Sequence, residues 1–178
     1  SNDCLWFTEW SGLQNVGTES STLKELNTPL CLSKPNDLHL GDGLIDLGKM
    51  IWLGVMEKED RDYLVIFSLL DKLQEPKIIY RAADFIGYPK LSPNNRNLAW
   101  VEWQRPDMPW DKSSLMVGRL MDSERLDSIQ LLVGTCSESS KLISVFQPIW
   151  LKNNQLLISD DQNGWWNLNL LELDHVEG

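Results

Sequence analysis

Two stretches of this chain can be laid over one another. YPKLSPNNRNLAWVE, from Tyr88 to Glu102, matches QPIWLKNNQLLISD, from Gln147 to Asp160, with Asn94-Asn95 meeting Asn153-Asn154. Each copy reads as a strand, a tight Asn-Asn turn and an apolar strand. A loop and a third strand follow in both, SLMVGRL in one and WWNLNLL in the other, and the first copy adds a fourth, SIQLLVGT. An earlier stretch fits the same frame with Gly48-Lys49 at the turn: GLIDLGKMIWLGV, then DYLVIFSL, then PKIIYRA. Copies spaced roughly 45 to 60 residues apart suit one four-stranded blade of a β-propeller.

The rest of the chain agrees with an all-β fold. CLWFTEW at the start is another apolar run, and only GTESSTLKEL and DKLQE have any helical character. A partial propeller of about three to three and a half antiparallel blades follows, as a single unit over 1–178. Its blades span about 43–81, 87–133 and 145–172, and the first forty residues supply one or two strands of a partial one. Such an architecture accounts for Trp165 and Trp166. Adjacent strand residues face opposite ways, so both can be buried only where both faces of the sheet are covered. A middle blade offers that, and each ring would remove about 200 Å² from water, roughly 5 kcal/mol as an upper bound. The alternative is an aromatic platform that stacks sugars or bases.

Composition restricts the partners. The formal charge is -10 over 178 residues, with no Lys/Arg cluster to release counterions from phosphate, which argues against nucleic acid and anionic membrane. No apolar run approaches the roughly 20 residues of a membrane span. Cys4, Cys31 and Cys136 are odd in number and widely separated, so they read as free thiols in a reducing, cytoplasmic compartment. The two histidines, His39 and His175, are too few and too isolated for a zinc site, and neither a metal nor another cofactor is expected.

Four motifs, taken together, resemble a known family. LSPNNRNLAWVEW, with Ser92, Pro93 and Trp100, is similar to the SPDG-x-x-LAW repeat of TolB-like propellers. RPDMPWDKSSL, with Pro109 and Trp110, resembles an HPxMPWDxTxL loop. VFQPIW, with Gln147 and Trp150, and DDQNGWWNLNLL, with Gly164, Trp165 and Trp166, resemble QPxWSPDG followed by DRxGWWNLY. The order is that of the N-terminal propeller of bacterial prolyl-oligopeptidase-family serine peptidases of the dipeptidyl or acylaminoacyl type. Departures are Arg105 in place of the loop's histidine, Leu151-Lys152 in place of the second Ser-Pro, and Asp42 interrupting a glycine run.

The resemblance implies a non-catalytic region that gates or recognises peptide substrates for a separate hydrolase domain. An α/β-hydrolase nucleophile needs Gly-x-Ser-x-Gly on its strained turn, and this chain has none. GTCSESS, from Gly134 to Ser140, lacks the second glycine and reads as a polar inter-blade loop. Asp174 beside His175 is mere adjacency along the chain, not triad geometry. By resemblance of position, Glu9, Glu102 and Asp111 are candidates to hold a substrate's N-terminus. The competing reading is solvated or turn-capping carboxylates, with Asp111 supporting the turn after Trp110. A stand-alone binding module for proteins or glycans is the alternative function. Because an open propeller leaves its end blades uncovered, self-association as a two-fold dimer is expected.

Overall fold

The computed structural model describes residues 39–71, 74–122, 125–134 and 141–173, and before them the backbone of three short strands. Among the described residues there is no helix, and the strands form four antiparallel sheets. The first sheet joins β1 (Cys4–Glu9), β2 (Gly12–Gly17) and β3 (Leu30–Cys31). The second runs β4 (His39–Asp46), β5 (Ile51–Lys58), β6 (Arg61–Ser68) and β7 (Lys77–Arg81). The third repeats it with β8 (Phe85–Leu91), β9 (Asn97–Trp103), β10 (Ser114–Met121) and β11 (Arg125–Val133). The fourth has β12 (Val145–Lys152), β13 (Gln155–Asp160) and β14 (Asn167–Glu172). The leading strands β4, β8 and β12 lie side by side, and the outer strands β7 and β11 also touch. This is a partial β-propeller.

Alternation along the middle strands divides the core into layers between sheets. On β5, Ile51, Leu53 and Val55 join Leu98 and Trp100 of β9 in the layer between the second and third sheets. Trp52 and Met56, on the opposite face, pack with Val65, Phe67 and Leu69. On β9, Ala99 and Val101 face away from Trp100 and meet Val145, Leu156 and Ile158 of the fourth sheet. Burial of both faces is therefore real. It falls on Trp52-Leu53 and Ala99-Trp100, the middle strands of covered blades.

Trp165 and Trp166 are not buried, which corrects the sequence expectation. They are 80% and 48% exposed and lie in the turn before β14, not in the strand. The cause is local. Asp160 accepts hydrogen bonds from the Gln162 N–H (3.1 Å) and the Asn169 side chain (2.9 Å), closing a turn completed by Gly164 at φ 90°. The outer face beyond them meets no further sheet among the described residues. Two smaller expectations also shift. DKLQE is not helical where described, since Gln74 ties back to the Ser68 N–H (2.9 Å) and carbonyl (2.6 Å). Among the described residues three strands, not one or two, precede His39. GTESSTLKEL lies almost wholly outside the described residues, as do Cys136 and the Asp174-His175 pair.

Each leading strand carries a bulge at the same place. The pairing slips between Gly41 and Leu44, between Gly87 and Lys90, and between Phe146 and Ile149. A left-handed residue sits in each slip: Asp42 (φ 42°), Tyr88 (φ 57°) and Gln147 (φ 52°). Glycine or proline follows each, a residue that a bulge accommodates and a regular ladder resists. The bulges of β4 and β8 are linked across sheets, because the Asp42 carboxylate accepts a hydrogen bond from the Tyr88 N–H.

At the other end of the sheets the hairpin turns stitch neighbours together. Within the Ser92 turn, the Ser92 hydroxyl donates to Asn94 Oδ1 (2.7 Å) and accepts from the Asn97 N–H (3.0 Å), while Pro93 stays exposed. Asn153 Oδ1 of the next blade accepts from the Asn94 N–H (3.0 Å), and Lys49 of the preceding blade donates to the Asn95 carbonyl (3.2 Å). The positions that matched in sequence meet in space. Trp150 adds a link, donating its indole N–H to the Lys90 carbonyl at 2.9 Å.

Candidate functional site

The end of the sheets opposite those hairpins carries the longer β9–β10 connection, residues 104–113, and a cleft of about 400 Å³. Its lining includes Glu102, Gln104, Arg105, Asp107, Lys112 and Met116. Glu102 ends up there by strand alternation. It lies two residues after the buried Trp100 on β9, so it shares that face but stands nearer the strand's open end. Its carboxylate accepts the Trp100 indole N–H at 2.6 Å and a hydrogen bond from the Tyr80 hydroxyl of the second sheet. Burial raises the Glu102 pKa, and the two hydrogen bonds only partly offset the rise. Burial, and then the adjacent Glu102 carboxylate, also hold the Tyr80 hydroxyl well above its ordinary value.

The rim mixes charges. Arg105 lies with its guanidinium 5.0 Å from the centre of the Phe85 ring, a cation–π contact, and Phe85 stacks on Trp103 at 5.6 Å. Asp84 accepts the Arg105 backbone N–H at 3.0 Å and lies 3.9 Å from its guanidinium. A half-buried carboxylate beside one arginine, one lysine and one aspartate can accept hydrogen bonds from an amine while its rim meets carbonyl or carboxylate groups. The cleft therefore suits a ligand with both kinds of group.

Of the candidate carboxylates, the two that are described, Glu102 and Asp111, are differently placed. Glu102 lines the cleft, whereas Asp111 caps its own turn: Oδ2 accepts the Met108 N–H at 3.2 Å and the Asp111 N–H donates to the Met108 carbonyl at 2.9 Å. That supports a turn, but the one from Met108 to Asp111 that contains Trp110, not a turn after it. The Glu9 side chain lies outside the described residues, although its backbone pairs with Gly12 at the end of β1. Of the motif positions, Ser92 and Trp100 are buried, and the Pro109 carbonyl accepts a hydrogen bond from the Ser144 hydroxyl. Trp110 is exposed, and Gln147 is the left-handed bulge residue of β12. Sequence reasoning missed Tyr80 and the Arg105–Phe85–Trp103 stack. Nothing in PKIIYRA marks Tyr80 as a partner of Glu102, because the contact joins two sheets. Among the described residues no three His, Cys, Asp or Glu side chains gather as a metal-binding cluster.

Comparison of the fold with solved structures gives matches over almost the whole chain. A puromycin hydrolase superposes with a TM-score of 0.79 at 22% identity, over 95% of this chain and 27% of its own. The likeness is one of fold. A puromycin-hydrolyzing peptidase from Mycobacterium tuberculosis gives 0.75 at 23% identity, over 98% of this chain and 28% of its own. Prolyl oligopeptidase B from Galerina marginata gives 0.61 at 11% identity, over 98% and 27%. The regions matched are propeller regions of peptidases, and the chain spans about a quarter of the length of those proteins. No protein-family model matches the sequence, and no curated protein matches it.

Proposed function

We propose that this chain is the non-catalytic propeller region of a serine peptidase, recognising or gating peptide substrates for a hydrolase domain outside it. The observation that carries the reading is the Glu102 cleft, an amphoteric recess at the loop end of a propeller whose fold is that of peptidase propellers. Glu102 receives the peptide's N-terminal amine, and Arg105 and Lys112 meet its carbonyl or carboxylate oxygens. Its partners are a peptide and a second copy of the chain, with neither nucleic acid nor membrane, in a reducing cytoplasmic compartment. Gating follows from the same position, since a ligand held at this end is presented to whatever domain lies beyond it.

Calorimetric titration with a short peptide tests the reading. Binding weakens at least tenfold on N-acetylation of the peptide and on Glu102→Gln, and the peptide is recovered intact. Equal affinity for the free and acetylated peptides contradicts the role of Glu102. Cleavage, or serine labelling by a fluorophosphonate probe at enzyme-like rates, contradicts the non-catalytic reading.

A further inference from the structure

Beside Glu102 on the third sheet runs a row of apolar side chains that ends in the cleft. Glu102 of β9 pairs with Ser114 of β10. One step along the same face Trp100 pairs with Met116, which pairs in turn with Leu131 of β11. Met116 and Leu131 line the cleft together with Glu102. A bulge puts Leu131 there. The β10–β11 pairing slips so that Leu115 meets Val133 while Met116 meets Leu131, and both Leu132 and Val133 pack in the layer against the fourth sheet. Leu131 is then the last side chain of β11 on the cleft side, and it is 43% exposed. The third sheet has a neighbouring sheet on each face, so this recess lies within the described fold and not at an open end of it.

We propose that the cleft selects peptides whose first side chain is apolar, seating it on Met116 and Leu131 while the free amine meets Glu102. The proposal rests on the peptide reading above and adds the class of ligand. Glu102 is a fixed anchor, held by the Trp100 indole N–H at 2.6 Å and by the Tyr80 hydroxyl of the second sheet. A carboxylate offers about four lone-pair sites, so these two donors leave room for an amine. The diagonal from Glu102 to Met116 across the β9–β10 pair is about 7 to 8 Å between Cβ atoms. One residue spans it, with its amine at one end and a Leu- or Phe-sized side chain at the other. The cleft, about 400 Å³, lies at the small end of the roughly 300 to 1,000 Å³ usual for ligand sites, which suits the end of a peptide and not a long segment. A charged first side chain is disfavoured, because its head would lose water against Met116 and Leu131 without gaining a hydrogen-bond partner from either.

Calorimetric titration of the intact chain with three tripeptides, Leu-Ala-Ala, Gly-Ala-Ala and Lys-Ala-Ala, reads the outcome. Leu-Ala-Ala binds the wild type at least tenfold more tightly than either of the others. Leu131→Glu inverts the order of the Leu- and Lys-leading peptides, a change of preference that loss of structure cannot produce. Leu131→Ser, milder at a position already open to water, lowers the ratio of Leu- to Gly-leading affinity at least threefold with an unchanged β-sheet circular dichroism spectrum. N-acetylation still weakens binding to both variants, because Glu102 is untouched. Equal affinity of the wild type for the Leu- and Gly-leading peptides, with acetylation still costly, overturns the apolar subsite and leaves the role of Glu102 standing. Retention of the wild-type ratios in both Leu131 variants overturns the assignment to Leu131. Binding of none of the three peptides, or indifference to acetylation, overturns the peptide reading itself and the subsite with it.

Discussion

Glu102 and Asp62 are carboxylates whose surroundings oppose ionisation, and that fixes the sign of a pH effect. Burial is the largest cause in both, with the Ile86 N–H at 2.8 Å partly compensating Asp62. Each group therefore binds its proton more tightly in the folded chain than in the unfolded one. The stability this gives is fully present below the ordinary carboxylate range and is lost as pH rises through the raised folded values. Glu102→Gln removes one of the two contributions. Between pH 4 and 8 the urea midpoint of the wild type should fall more steeply with pH than that of the variant. Parallel curves contradict the assignment. The glycines near Trp52 show another residue-scale constraint. A Cβ on Gly43 or Gly54 would lie 2.3 Å from the Trp52 indole, so both must lack a side chain for that ring to lie flat against its sheet.

At the scale of elements, much was legible in the sequence because the elements repeat. Tyr88-Pro89 lay over Gln147-Pro148, and both pairs mark a bulge; the two Asn-Asn turns became partners across blades. The tryptophan pair was misread because strand periodicity reports alternation but not which sheet has a neighbour. Trp100, in a middle strand covered on both sides, is buried, whereas Trp166 sits in a turn at an open end. Trp100→Ala should therefore cost about 3 to 5 kcal/mol through the cavity it leaves. Trp166→Ala should cost about 1 kcal/mol or less under conditions where the chain is monomeric. Chemical denaturation of the two variants compares them, and equal losses would mean that the open end is in fact covered. The Tyr80–Glu102 contact was illegible for a related reason, since it depends on the angle at which two sheets meet and not on any spacing along the chain.

For the molecule as a whole, the sheets provide rigidity and one end provides the recess. Hairpin turns and bulges join consecutive blades by side-chain hydrogen bonds, so the loop end is held on a stiff support. Peptide recognition without hydrolysis is the central claim, and the Trp100 indole N–H is its built-in reporter because it donates directly to Glu102. Nitrogen–proton correlation spectra of the intact chain, recorded during titration with a short free-amine peptide, test the claim directly. The Trp100 indole resonance should move in a saturable way, the N-acetylated peptide should leave it in place, and the peptide's own resonances should show no cleavage. An indole signal unmoved at millimolar peptide, or the appearance of hydrolysis products, would contradict it.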